Sequence, residues 1–132
     1  MATVIVAAGL LIESGRVLLS QRKKGTHLEG AWEFPGGKAE PGEDPKVALA
    51  RELQEELGID VVVSDIVEVT FHAYPQKDVL LLFYAVARKV GSPEPRALDV
   101  ADVRFAEASE LNDEDFPPAD VDVLRKVRRM LR

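Results

Sequence analysis

Glu52, Glu55 and Glu56 crowd into one short stretch of a 132-residue chain. On a helix, residues three and four apart are surface neighbours, so Glu52 would stand beside both of the others. Like charges at that spacing cost a helix roughly 0.2–0.5 kcal/mol per pair, so helix propensity gives no reason to place them together. A divalent cation does. Hard oxygen ligands converging from one rigid face suit Mg²⁺ or Mn²⁺, and such sites commonly share the metal with substrate phosphates. The competing reading is a solvated acidic helix face.

The elements around these carboxylates must position them. Asp44-Pro45 is a helix start, with Asp able to cap and Pro at the first helical position. Gly58 is a stop, where a helix turns into a left-handed cap. Between them Val47, Ala50, Leu53 and Leu57 make an apolar stripe at helical spacing, and the glutamates are expected on the opposite side. Arg51 could pair with Glu55, four residues on, or reach back to Glu43. Upstream, Pro35-Gly36-Gly37 and Pro41-Gly42 form a tight loop whose bare backbone can approach a ligand closely. A glycine loop running into an acidic helix face suits a metal-bound phosphate chain.

Gly37, Glu43, Arg51-Glu52-Leu53, Glu55-Glu56 and Gly58-Ile59, at their spacings, resemble the Nudix box without a departure. The resemblance implies a Mg²⁺- or Mn²⁺-dependent hydrolase of nucleoside diphosphates linked to another moiety, built as an α/β/α sandwich. It implies that Glu52 and Glu56 ligate the metal, Glu55 does so directly or through water, and the Gly36 carbonyl adds a ligand. Arg51 and Glu43 would form the ion pair that locks loop to helix. Trp32-Glu33-Phe34-Pro35-Gly36-Gly37-Lys38 and Asp115-Phe116-Pro117-Pro118-Ala119 are similar to the MutT-type branch, whose members split nucleoside triphosphates into monophosphate and pyrophosphate. Typical substrates there are damaged nucleotides such as 8-oxo-dGTP, or cytidine triphosphates in a sister branch. Two rival readings are a Nudix hydrolase of a dinucleoside polyphosphate or ADP-ribose, and an inactive nucleotide-binding module.

Further candidates lie outside the box. Asp99 falls where MutT-like enzymes carry a glutamate that completes the metal site or acts as base; a solvated loop aspartate is the alternative. Glu52, Glu55 and Asp99 are thus the candidates for the base. Arg22 and His27 fall where the resemblance places phosphate and base contacts, against a surface salt bridge and an exposed loop histidine. Lys23, Lys24 and Lys38 could steer phosphates. Phe34 could contact substrate, although it and Trp32 read first as core, as large aromatics usually do. Phe116, Pro117 and Pro118 either wall a base or pin the entry to the last helix.

Asp120 departs from the pattern of the 8-oxoguanine readers, which place asparagine after Phe-Pro-Pro-Ala. An amide both donates and accepts, whereas an ionised aspartate only accepts and suits amine and imino protons. The cytidine branch resembles this chain in having Asp here. The alternative is a helix N-cap, a position Asp favours.

The rest of the chain supports a small enzyme. Its length fits one domain, residues 1–132, with a substantial core. Apolar residues make up 46% and no run spans a membrane, Met1 opens without a basic leader, and no cysteine offers disulfide or thiolate chemistry. A cytoplasmic monomer or weak dimer is the expectation. The net charge of −6 argues against a nucleic-acid polymer as partner. Thr3 to Ile12, a Glu13-Ser14-Gly15 turn and Val17 to Ser20 read as a hairpin. Val61 to Thr70, Val79 to Val86 and Val103 to Ala106 read as strands, and Val121 to Leu131 as a helix with basic residues at its end. The order β-β-β-α-β-β-β-α predicts an α/β fold with a mixed sheet between helices. Gly91 to Ala97 is expected to be the most mobile loop.

Overall fold

The computed structural model describes residues 2–131; Met1, on which the reading of the leader rests, lies outside them. The strand β1 (Thr3–Glu13) is the spine of the sheet. It turns through Ser14 and Gly15, both at positive φ, into β2 (Arg16–Gln21), the two-residue hairpin that right-handed strand twist favours. Two short strands follow, β3 (Trp32–Glu33) and β4 (Gly36–Lys38), then helix α1 (Pro45–Leu57). After it come β5 (Val61–Ala73), β6 (Asp78–Arg88), β7 (Asp102–Ala106), three single 3-10 turns and helix α2 (Val121–Met130).

β1 pairs with β4 through Val6–Ala8 and with β2 further along the same edge, while its other edge runs parallel to β6. A strand hydrogen-bonded on both sides and covered on both faces reads as an unbroken apolar run, as Ala7 to Leu11 does. β5 closes one side of the sheet antiparallel to β6, and β3 and β7 both pair with β2. Alternation sends successive side chains into two cores. Ala7, Leu11 and Leu18 pack on Leu49, Leu53 and Leu57 of α1, and Ala8, Leu10, Val17 and Leu19 pack with Val123, Leu124 and Val127 of α2. The expected sandwich is present.

Several sequence expectations shift. The three strands before α1 become four, because β3 and β4 are only two and three residues long. The stripe on α1 is Ala48, Leu49, Leu53 and Leu57; Val47 is 58% exposed and Ala50 half-buried. The glutamates therefore do not sit opposite the buried face. Glu52 and Glu56 lie three residues after Leu49 and Leu53, on the flank of the packed side, and only Glu55 faces solvent. The stretch Gly91 to Ala97 is tied down: Arg88 binds Pro93 and Glu94, the Ser92 hydroxyl accepts from Asp60, and Arg96 donates to Leu57.

Candidate active site

Helix α1 is fixed at both ends as its sequence requires. The Asp44 carboxylate accepts from Lys46 N at 2.8 Å, and Gly58 takes the left-handed conformation with φ 69°. Beyond it, Leu98 N and Asp99 N both donate to the Glu56 carbonyl, at 3.0 and 3.1 Å, satisfying an end of the helix that would otherwise lack partners. The same contact carries Asp99 toward Glu56.

The loop from β4 into α1 is clamped by Arg51. Its guanidinium donates to both oxygens of Glu43 at 3.0 Å, to Glu52 at 3.1 Å and to Glu55 at 3.4 Å. Both pairings left open for Arg51 are made at once, with the bidentate one on Glu43. Two glycines let the loop lie where it does. A Cβ at Gly36 would stand 2.0 Å from the Ala7 carbonyl oxygen, so only glycine allows β4 to approach β1. A Cβ at Gly37 would stand 2.4 Å from the Glu52 carboxyl carbon, so glycine there makes the cradle in which that carboxylate rests.

Negative charge is concentrated around this cradle. Burial, then the charges of Glu52, Glu33, Asp99 and Glu55, push the Glu56 carboxyl up to about 8. Burial likewise raises Glu52, although Arg51 opposes it. Among the described residues no three such groups converge tightly enough, as the side chains stand, to grip an ion. Glu52 and Glu55 lean instead on Arg51. The donor set nonetheless fits a hard divalent cation: it offers only oxygen, no thiolate or imidazole, and its mutual repulsion is what such a cation relieves. Perturbed carboxyls beside a cleft are a mark of function.

A cavity of about 290 Å³ adjoins the cradle, and Gly36, Gly37, Lys38 and Glu56 line part of it. Arg22, Glu33, Phe34, Tyr74, Pro117 and Asp120 line it as well. Arg22 donates to Glu33 at 3.1 Å and to the His27 carbonyl at 2.5 Å, so its salt bridge and its place in the cavity coexist. Asp120 is 4% exposed and makes no capping hydrogen bond, which overturns the capping reading. The physical reason is the 3-10 turn Pro118–Asp120, which already puts Asp120 in helical backbone and turns its side chain into the cavity. Burial, then the charge of Glu33, push its carboxyl up to about 7, with Arg22 opposing.

The other expected residues divide. Phe34 is core, edge-on to Phe83 and tilted against Phe116, and also forms part of the cavity wall. Trp32 lies under the Arg104 guanidinium, 4.7 Å from the ring. Pro117 lines the cavity while Pro118 is exposed. His27 is an exposed rim residue whose ring meets the edge of Tyr74. Asp99 is 62% exposed, outside the cavity lining, and paired with Lys23 at 2.5 Å, which occupies both of those candidates. Glu33 and Tyr74 were not legible as site residues. A lone charge between Trp32 and Phe34 was the one signal for Glu33, and Tyr74 stood in a turn with nothing to mark it.

A sandwich that joins a glycine loop, a carboxylate-bearing helix and a polar-floored cavity has the architecture of a hydrolase of pyrophosphate bonds. The NUDIX domain family model matches residues 2–127. The chain is 34% identical over 126 residues to an 8-oxo-dGTP diphosphatase of Escherichia coli K12, covering 95% of this chain and 96% of that one. It is 45% identical over 67 residues to a CTP pyrophosphohydrolase of the same organism, covering 51% of this chain and 50% of that one. The crystal structure of a MutT NUDIX hydrolase from Burkholderia pseudomallei shares the fold over 100% of both chains, with a TM-score of 0.82 at 21% identity. The chain belongs to the Nudix family and is a hydrolase. Members of this family generally require a divalent cation, as the carboxylates on α1 suit.

Proposed function

We propose that this chain hydrolyses nucleoside triphosphates, including oxidised deoxynucleotides, to the monophosphate and pyrophosphate, with Mg²⁺ or Mn²⁺ as cofactor. The observation that carries the reading is the continuity of the cavity. It is lined both by the Gly36-Gly37 loop and Glu56, where a phosphate chain would lie, and by Arg22, Glu33 and Asp120, which can read a base edge. A nucleobase and a triphosphate need this adjacency.

In this reading Glu52, Glu56 and the Gly36 carbonyl hold the cation, with Glu55 joining directly or through water. The cation would neutralise phosphate oxygens and make water easier to deprotonate. Arg51 keeps Glu52 and the loop in register through Glu43. Lys38 balances phosphate charge, and Arg22 and His27 hold the nucleotide near the cavity mouth. The attacking water gives its proton to Glu52, Glu55 or Asp99 as its oxygen bonds to phosphorus, and the anhydride bond breaks to release pyrophosphate.

Two substrates fit. The relative matched along nearly the whole chain is named an 8-oxo-dGTP diphosphatase, which favours an oxidised purine. Asp120 in place of asparagine, when ionised, favours a base edge rich in donors, such as that of cytosine. Residues 1–132 are read as one domain, acting on free nucleotides as a cytoplasmic monomer or weak dimer. Among the described residues no helix is long and apolar enough to cross a membrane. Measuring kcat/KM across 8-oxo-dGTP, dCTP, the common nucleotides, ADP-ribose and a dinucleoside polyphosphate tests the proposal. ADP-ribose or the dinucleoside polyphosphate as best substrate would refute it.

A further inference from the structure

The Ser20 hydroxyl is buried in the sheet, 1% exposed, with no hydrogen-bond partner. A hydroxyl kept from water without a partner costs stability that alanine at the same place would not. Its direction follows from the strand. Val17 and Leu19 of β2 pack on the α2 side and Leu18 on the α1 side, so Ser20 emerges toward α1. Directly opposite it stand Glu33 on β3 and Val103 on β7, and Val103 packs against the α1 core. Residues so opposed on an antiparallel ladder have Cβ atoms about 4.5–5.5 Å apart. Glu33 in turn is near enough to Glu56 for their charges to act on each other. The hydroxyl and the Glu56 carboxylate therefore share Glu33 as a neighbour, on the α1 side of the sheet.

We propose that Ser20 is a positioning residue, whose hydroxyl donates to the Glu56 carboxylate when a divalent cation is bound and so fixes the orientation of that ligand. This rests on the reading that Glu52 and Glu56 hold the cation. Partners that orient metal ligands typically change affinity by about 10–100-fold when removed.

The test is a titration of the metal-free full chain with Mn²⁺, without nucleotide, reading free Mn²⁺ by electron paramagnetic resonance. Ser20→Ala should weaken Mn²⁺ binding about tenfold while its melting temperature stays level or rises. Ser20→Thr, which keeps the hydroxyl, should bind as the wild type does. Should the added methyl group unfold it, the double variant Ser20→Ala/Glu56→Gln decides instead: it should bind no more weakly than Glu56→Gln alone. Wild-type affinity in Ser20→Ala would overturn the proposal, as would an equal loss with and without Glu56. A wild-type chain that binds no Mn²⁺ would refute the metal assignment itself, and the role of Ser20 with it.

Discussion

Adding one methyl group at each of two adjacent glycines should have opposite consequences. At Gly36 the new Cβ would meet backbone, 2.0 Å from the Ala7 oxygen and 2.8 Å from Ala8 Cα. Backbone in a paired strand cannot swing aside, so β4 must part from β1. Overpacking of this kind costs about 1–3 kcal/mol, or about 3–15 °C of melting temperature for a chain of this size. At Gly37 the Cβ would meet a side chain, 2.4 Å from Glu52 Cδ and 2.6 Å from its carboxylate oxygen. That carboxylate can rotate away. Gly37 is not among the glycines at positive φ, so alanine there also restricts the unfolded chain without backbone strain. Gly37→Ala should therefore melt within about 2 °C of the wild type, yet raise the Mg²⁺ concentration for half-maximal rate about tenfold, because a ligand has been displaced. Gly36→Ala should lose stability first. Thermal melts and Mg²⁺ titrations of nucleotide hydrolysis on both variants provide the comparison. A Gly37→Ala enzyme with wild-type Mg²⁺ dependence would refute the claim that glycine there seats Glu52.

Other perturbations bear on the remaining groups. Glu56→Gln should lower turnover by about 10²-fold or more while the melting temperature holds or rises, since it removes a carboxyl that burial and neighbouring charges already disfavour; full activity in a folded variant would remove Glu56 from the site. Asp120→Asn should change the ratio of kcat/KM between 8-oxo-dGTP and dCTP about tenfold or more, the discrimination a base contact of about 1–3 kcal/mol provides, and an unaltered ratio would count against Asp120 as the reader. Asp120 also predicts a pH effect. Its folded carboxyl stands at about 7 against an ordinary value of 3.8, so the folded state holds the extra proton and the wild type loses stability as pH rises between those values. Denaturant melts at pH 4 and pH 8 should show Asp120→Asn gaining on the wild type by on the order of 2–4 kcal/mol at the higher pH; a constant difference would contradict the burial argument. Arg51→Lys, which keeps charge but not the fork on Glu43, should weaken metal binding about 10–100-fold, and equal affinity would show that the clamp is dispensable.

Local chemistry was legible in the sequence where residue type alone decides a conformation. Asp44-Pro45 and Gly58 mark the ends of α1 because a side-chain acceptor, a fixed φ and a missing Cβ act within a few residues. The hairpin at Ser14-Gly15 is of the same kind. Which face of α1 packs was not legible: Val47 and Ala50 fit one helical phase and Ala48 and Leu49 another, and only the sheet chooses. β3 and β4 were not placed because strands of two and three residues exist only through their pairing with β2 and β1. The carboxylates were found by type and spacing, but their environment was not. Glu33, Tyr74 and Asp120 come together in the cavity from three distant segments, and Lys23 meets Asp99 across the chain, none of which spacing can show. The capping alternative for Asp120 arose because the 3-10 turn before α2 has no sequence mark distinct from a helix start.

The central claim is that this chain cleaves a nucleoside triphosphate between its α- and β-phosphates. Phosphorus NMR of the products from 8-oxo-dGTP and dCTP, with Mg²⁺ present, tests it most directly. Nucleoside monophosphate and pyrophosphate in equal amounts is the result expected from the cradle on α1 and the cavity beside it. Orthophosphate with nucleoside diphosphate, or intact triphosphates alongside cleaved ADP-ribose, would contradict it.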